Sequence, residues 1–593
     1  MEEKQKRKDK WRIRATLKII FDSDCRLAYL LIALSVLTGV TPMASALISQ
    51  QLINALQLSE KLDTIVFILI VYIIFSLVST AVSSLYSYVD ERMQLSLSYQ
   101  LRYMLMKKCG ELSLEHFEDS NVYNMITRLE NEIGYRPYQT MQSIMTLISA
   151  VISFISACAI LFVWKPSVIV LILLISAVGL VYYLKIGKHE FQTFNAMSGK
   201  EREAWYLGYL MTHDFAFKEI KLFNLKDYFL RKYWDIKEVF IKERNAINKK
   251  KGIIGYLIEA VQQCVIGGVI FVAVLAAYSG TLLLGNVITY INAVGLIRSN
   301  TNTVINSVYA MYNNSFYMKL FEEFVSLRLE KSEVAKDEGI YIKEVNTIEF
   351  KNVSFSYGNN AKVLDNVSFE INASETIAII GKNGSGKSTL LKLLCGLYSN
   401  YSGQILVNGI DLKRINMKQY RNCLSVMFQD FLKFEMTLGE NISISDTDFC
   451  EDTENARKAM SMADIDFFDS ADDTVLDKQL GNWFDDGMQL SGGQWQKIAL
   501  ARTYYRDRGV YLLDEPSSSL DADAELNIFD KFYRLAENKI GVFITHKISA
   551  AKKAEKIIVL NRGKVEGIGD DQFLSRSCDE YIDLKQKEQH QYA

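Results

Sequence analysis

The chain has 593 residues, too many for one core at about 150 residues per domain, so several domains or two large ones are expected. Lys and Arg number 67 against 69 Asp and Glu, and the net charge of −2 excludes the strongly basic surface of a nucleic-acid binder. The hydrophobic fraction of 49% lies at the upper edge of soluble domains, so the distribution of apolar residues decides what their average cannot.

The charged opening, with eight Lys or Arg in residues 1–18, leads into six apolar runs of membrane-spanning length: 27–52, 64–86, 141–164, 167–185, 253–279 and 287–311. Pro42, Pro137 and Pro166 are three of only four prolines in the chain, a scarcity that suits long helices. Between the second and third runs lie about 55 residues, and between the fourth and fifth about 65, with apolar positions at helical spacing over 93–109 and 226–247. These read as helices that continue beyond the bilayer. Their tips, near 114–124 and 205–217, are expected to be short helices docking on the soluble second half of the chain near Gln429, with Phe117, Tyr123, Trp205 and Tyr209 as buried knobs. Residues 86–140 carry six Lys or Arg and 185–251 carry fifteen, whereas the three opposite connections hold only Lys61 and Lys165. By the excess of basic residues on the inner side, both termini and the long connections are cytoplasmic. A signal peptide is not expected, since the first run exceeds twenty residues. Glu259 in the fifth run either faces a cavity that favours cationic ligands or pairs with a basic residue, and Asn292, Arg298, Asn300 and Asn302 give the sixth run a polar face suited to a wet cavity. The eight cysteines show no CxxC spacing and read as isolated reduced thiols.

After a charged linker the pattern becomes alternating strands and helices, with strands at 376–380, 510–513 and 542–545, as in a parallel α/β sheet. The first strand runs into Gly381, Lys382, Asn383, Gly384, Ser385, Gly386, Lys387 and Ser388, and Thr389 opens the helical stretch that follows. This is the phosphate-loop pattern in its required context. Backbone N–H groups cradle phosphates, Lys387 reaches the β and γ oxygens, and the Ser388 hydroxyl ligates Mg²⁺. The second strand ends in Asp514, placed to hold Mg²⁺, and Glu515, placed to orient and deprotonate an attacking water. Ser491, Gly492, Gly493 and Gln494 open a helix and form a second anion site.

With that last run the chain resembles the ATP-binding-cassette proteins. The resemblance implies adenine stacking on Tyr357, catalytic and metal-binding roles for Gln429, a catalytic role for His546, and a functional segment at Ser518-Ser519-Leu520-Asp521. It also implies that Ser491 to Gln494 complete the ATP site of a second identical chain, hence a homodimer with ATP and Mg²⁺ as cofactors. The implied fold is a membrane all-α part of six transmembrane helices with long cytoplasmic extensions, of the type I exporter kind, fused to an α/β P-loop ATPase domain. The expected division is a transmembrane domain over 1–325, a linker over 326–345 and a nucleotide-binding domain over 346–593.

Finer features are similar to lantibiotic-type peptide exporters without a peptidase domain. They include 116–124, the aromatic segment 205–221, the stretch 481–487 in place of a glutamate-bearing segment, and Trp495 after the signature. The first run begins near Leu27, which leaves no space for an amino-terminal protease. The resemblance therefore implies an ATPase coupled to export of a modified, lantibiotic-like peptide across the cell membrane by alternating access. Its partners are the peptide, membrane lipid and, as candidates, peptide-modifying enzymes, with no nucleic acid. Alternatives are a lipid flippase or multidrug exporter, and an ATP-dependent peptide sensor or immunity protein without transport.

Overall fold

The computed structural model describes residues 21–327, 339–358, 360–449, 452–469, 472–517 and 522–591. They form two compact units, one from the chain up to Gly110 with Ser120–Leu327, the other from Glu111–Asp119 with the chain after Leu327.

The first unit is helical: α1 (Cys25–Gln57), α2 (Leu62–Gly110), α4 (Ser120–Glu132), α5 (Arg136–Trp164), α6 (Pro166–Ala196), α7 (Ser198–Thr212), α8 (Phe217–Leu222), α9 (Lys226–Tyr278) and α10 (Leu284–Val325), while α3 (Leu114–Glu118) belongs to the second unit. Each of the six apolar runs falls in one long helix, the fifth running one residue past its end to the cap Ser279. Among the described residues, α1, α2, α5 and α9 are long and apolar enough to cross a membrane. With 49 and 53 residues, α2 and α9 measure roughly 70 and 80 Å at 1.5 Å per residue, more than twice the hydrocarbon thickness of ~30 Å. The surface of α2 changes accordingly along its length. Phe67, Ile70, Ile73, Ile74 and Leu77 are exposed, as hydrocarbon permits, whereas Val89, Met93, Leu97, Leu101 and Leu105 form one buried stripe at four-residue steps.

Close helix contacts use small residues. A Cβ at Gly39 would stand 2.6 Å from the Ser149 carbonyl oxygen, so α1 and α5 approach only because that atom is missing. Polar groups bridge the helices: Asn300 Nδ2 donates to Ser153 Oγ at 2.7 Å, Thr146 and Ser307 hydroxyls lie 3.1 Å apart, and Arg298 donates to Gln263 Oε1. Arg298 and Asn300 thus bond to neighbouring helices, while Asn292 is exposed. Glu259 is exposed and has no ion-pair partner among the described residues.

The second unit is built on two sheets. Strands β1 (Thr347–Phe355), β2 (Leu364–Asn372), β4 (Ser402–Val407) and β5 (Ile410–Asp411) form an antiparallel sheet in the order β2-β1-β4-β5. The other sheet comprises β3 (Thr376–Gly381), β6 (Leu424–Met427), β7 (Val510–Asp514), β8 (Ile540–Ile544), β9 (Lys556–Asn561) and β10 (Lys564–Gly569), ordered β10-β9-β3-β8-β7-β6. All its pairings are parallel except β9 with β10. Every residue of β3, β7 and β8 is buried, as expected of parallel strands covered on both faces. Alternation divides their side chains between two cores. Ile377 and Ile379 pack with Leu390 and Leu391 of α11 (Lys387–Leu394), and Ala378 and Ile380 pack with Trp495 and Ile498 of α12 (Gly492–Arg506). Because β3, β8 and β7 are neighbours and parallel, the loops leaving their carboxyl ends meet on one edge of the sheet.

Candidate functional site

The first of those loops follows β3. At Gly381 a Cβ would meet the Leu560 carbonyl oxygen at 2.1 Å, so a side chain there would push β3 from β9. Gly384 and Gly386 take φ of 78° and 103°, conformations open to glycine at no steric cost. Lys382, Asn383 and Gly384 form the exposed tip of the loop, and Ser388 and Thr389 lie in the first turn of α11. The buried Lys387 ammonium folds back onto the loop, donating to Gly381 O at 2.9 Å and Lys382 O at 3.2 Å. Loss of solvent pushes its pKa down, while the charges of Glu515 and Asp514 hold it up. Tyr357 is half-buried, edge-on to Phe355 and Tyr398, with its hydroxyl 3.0 Å from Thr389 Oγ1. The adenine-stacking candidate is therefore tied to the phosphate-loop helix.

The second and third loops follow β7 and β8. Glu515 takes φ of 50°, a left-handed conformation uncommon for a residue with a Cβ, and its N–H donates to Ile544 O at 3.1 Å. Its two carboxylate oxygens are both engaged: Oε2 accepts from Gln429 Nε2 at 2.7 Å, and Oε1 lies 2.6 Å from His546 Nε2. Asp514 is buried, bonded to Ser388, and one oxygen, Oδ1, has no partner among the described residues. Burial raises its pKa from 3.8 to about 6, with the Ser388 bond opposing the rise. A buried carboxylate held so high is short of positive charge. Ser385 Oγ is likewise buried without a partner. Ser388 hydroxyl, Asp514 carboxylate and Gln429 carbonyl are hard oxygen donors, the set Mg²⁺ uses together with substrate phosphates, so the residues present fit both the nucleotide and the ion.

The structure thus brings the phosphate loop, Asp514, Glu515, Gln429 and His546 together. Ser491 to Gln494 stand apart, at the start of α12. There Ser491 Oγ accepts from Gln494 N at 3.3 Å and Ser491 N donates to Gln494 Oε1 at 2.8 Å, a reciprocal capping box. None of the described residues lies within 4 Å of a Cβ built on Gly492. This chain's own packing therefore does not require glycine there. Ser518, Ser519, Leu520 and Asp521 lie outside the described residues.

Sequence reading missed two contributors. Gln496, buried on α12, donates to Glu515 O at 3.3 Å, and the Glu435 carboxylate accepts from Asn482 N at 2.7 Å and Trp483 N at 2.8 Å, shaping the loop before the signature. Gly481, whose Cβ would overlap Glu435, was the available signal. The first of the two tips is placed by its hydrogen bonds. Tyr398 Oη donates to Glu118 Oε1 at 2.6 Å and Ser399 N to Glu115 Oε1 at 3.4 Å, so the first tip bonds to Tyr398 and Ser399, where the sequence pointed to the neighbourhood of Gln429. Phe117 is 41% exposed, so it is not a buried knob within its own unit. Trp205 and Tyr209 stack on each other 5.2 Å apart.

Comparison with known proteins decides the family. The ABC transporter profile matches residues 364–518, and the ABC transporter transmembrane region profile matches residues 28–300. Over 577 residues, covering 97% of this chain and 94% of the relative, the sequence is 41% identical to the subtilin transport ATP-binding protein SpaT of Bacillus subtilis. The chain belongs to the ABC transporter family. This ABC transporter is also 38% identical over 578 residues to the nisin transport ATP-binding protein NisT of Lactococcus lactis subsp. lactis, covering 97% and 96% of the two chains. Its fold matches that of a bacterial Atm1-family ABC exporter with ATP bound, with a TM-score of 0.82 at 20% identity over 95% of this chain and 98% of that one. The transporter is a multi-pass membrane protein that binds ATP, and its helical part is fused to an ATPase domain that drives transport.

Proposed function

We propose that this transporter exports a lantibiotic-class peptide across the cytoplasmic membrane by alternating access. The observation that carries the proposal is the full-length similarity to the subtilin and nisin transport proteins. Both termini and the ATPase unit lie in the cytoplasm, an orientation supported by the concentration of Lys and Arg in residues 1–18, 86–140 and 185–251. Enzymes that modify the peptide are its upstream partners.

In the ATPase unit, Tyr357 stacks on the base, and Gly381 to Thr389 bind the phosphates. Lys387 leaves the carbonyls it now holds to neutralise phosphate oxygens. Mg²⁺ held by Ser388, Gln429 and Asp514 supplies further charge neutralisation. Glu515 accepts the proton of the attacking water, and Gln429 and His546 fix its carboxylate from both sides. The working unit is a homodimer in which Ser491, Gly492, Gly493 and Gln494 of each chain close the other's site. Open space at Gly492 supports this reading, because an exposed helix-start glycine with no neighbour leaves room for another molecule's close approach.

The test is to express the chain with a lantibiotic-like precursor and its modifying enzymes and assay the medium for leader-bearing peptide. Secretion should require the intact transporter and vanish with Lys387→Ala. Equal secretion with that variant would refute peptide export by this protein.

A further inference from the structure

The last helix, α13 (Asp579–Gln591), lies outside every motif described above, yet its acidic residues reach two loops of the ATP site. Near its start, Lys382 of the phosphate loop is held by Glu580 Oε1 at 2.8 Å and Asp583 Oδ2 at 3.1 Å. Near its end, Glu588 accepts at the loop that follows His546: Oε2 takes Ile548 N at 2.5 Å, and Oε1 takes Ser549 N at 3.2 Å and Ser549 Oγ at 2.8 Å. Glu580 and Glu588 are eight positions apart, a rise of ~12 Å along the helix. That spacing carries the helix from the loop after β3 to the loop after β8, its parallel neighbour.

The helix is itself fixed to the core. Tyr581 is fully buried, with its hydroxyl donating to Asp571 Oδ1 at 2.7 Å, and Lys585 Nζ donates to the same oxygen at 2.7 Å. Asn561, at the end of β9, donates to Glu580 Oε2 at 3.2 Å. A helix so anchored is a rigid reference for whatever its carboxylates hold.

The two attachments act on different parts of the site. Lys382 O is one of the two carbonyls that hold Lys387 Nζ, and it also accepts from Ser385 N at 3.1 Å, so restraint of Lys382 bears on the shape of the phosphate cradle. Ile548 and Ser549 follow His546 by two and three residues, and His546 contacts Glu515 at 2.6 Å. Capping those backbone N–H groups with a carboxylate fixes where the loop returns and so where the imidazole stands. Charged acceptors on backbone N–H groups are the stronger kind of hydrogen bond.

We propose that α13 is a strap across the ATP site: Glu588 is a positioning residue for His546, and Glu580 with Asp583 position the phosphate loop through Lys382. The proposal rests on the catalytic reading of His546 given above. It predicts that the two ends of one helix control different kinetic constants.

The test is steady-state ATPase of the full-length transporter in lipid discs, with thermal unfolding measured alongside. Glu588→Ala lowers kcat about tenfold and moves KM for ATP by less than about twofold. Glu588→Gln keeps an acceptor oxygen and restores kcat to within about threefold of the parent. The double variant Glu580→Gln with Asp583→Asn raises KM for ATP several-fold with kcat near the parent value. Parent kinetics in Glu588→Ala at an unchanged Tm would overturn the strap. So would parallel changes of kcat, KM and Tm in variants at both ends, which would mean the helix only supports the fold. His546→Ala separates the two layers: if it keeps full turnover, the catalytic reading fails; if it is inactive while Glu588→Ala is normal, only the strap fails.

Discussion

Glu515 has both carboxylate oxygens engaged, at 2.7 Å by Gln429 and 2.6 Å by His546, which holds one orientation of the group proposed above to receive a proton. Glu515→Gln keeps the size and removes the basicity. It should leave ATP binding intact and lower hydrolysis about a hundredfold or more, measured by turnover and by retention of labelled nucleotide. Wild-type turnover in that variant would remove Glu515 as the base. Asp514 makes a prediction of a different kind. Its pKa is raised from 3.8 to about 6, so between those values the folded protein keeps a proton that the unfolded chain has released. Stability from this group is full below pH ~4, is lost as pH rises through about 6, and stays lost at neutral pH. Unfolding of the nucleotide-free protein should therefore show a rise in Tm on acidification through this window that Asp514→Asn lacks. The same proton competes with a cation, so Mg²⁺ affinity should weaken as pH falls below 6.

Helix α12 serves packing and, in the function proposed above, recognition as well. Trp495 is 3% exposed and packs in the core beside β3, so Trp495→Ala should cost about 3–5 kcal/mol and lower Tm clearly. Gly492, three residues earlier, has room for a Cβ among the described residues. Gly492→Ala should stabilise the helix by about 0.5–1 kcal/mol yet reduce ATPase, if that surface closes on a second chain's nucleotide. A rise in Tm with unchanged turnover would contradict the shared site. The fold was legible where patterns are local: the six apolar runs became six helices, and the strand runs at 376–380, 510–513 and 542–545 became β3, β7 and β8. The placement of the phosphate loop and of the Asp514-Glu515 pair at strand ends was legible because spacing and strand context are local. Ties between residues far apart in sequence were not. The bonds of Glu588 to Ile548, Glu435 to Asn482 and Gln496 to Glu515 leave no periodicity, and Phe117 or Trp205 looks the same in sequence whether its ring meets its own chain or something else. The polar residues of α10 were visible, but Arg298 and Asn300 turn to Gln263 and Ser153, a choice made by helix packing.

For the whole molecule, a homodimer with shared sites allows complementation. Chains carrying Lys387→Ala and chains carrying Gly492→Glu should each be inactive alone. In a mixed dimer one site collects both lesions and the other has none, so a statistical mixture should recover about a quarter of wild-type ATPase if the sites are independent. No recovery would count against sites shared in this way. The connections between the long helices raise a further point. Those joining α1 to α2, α5 to α6 and α9 to α10 have four, one and five residues, while the opposite ends run into helices that reach far past any bilayer. On the orientation proposed here, the surrounding medium meets little more than three tight turns. A protease added to intact cells should leave the chain whole, while the same protease added to inside-out vesicles should cut it in the extensions; cleavage from the outside into large soluble fragments would invert the topology. Antibodies, phage and inhibitors arriving from outside find almost no surface to hold, so agents directed at this protein would have to enter the cell or act from within the membrane.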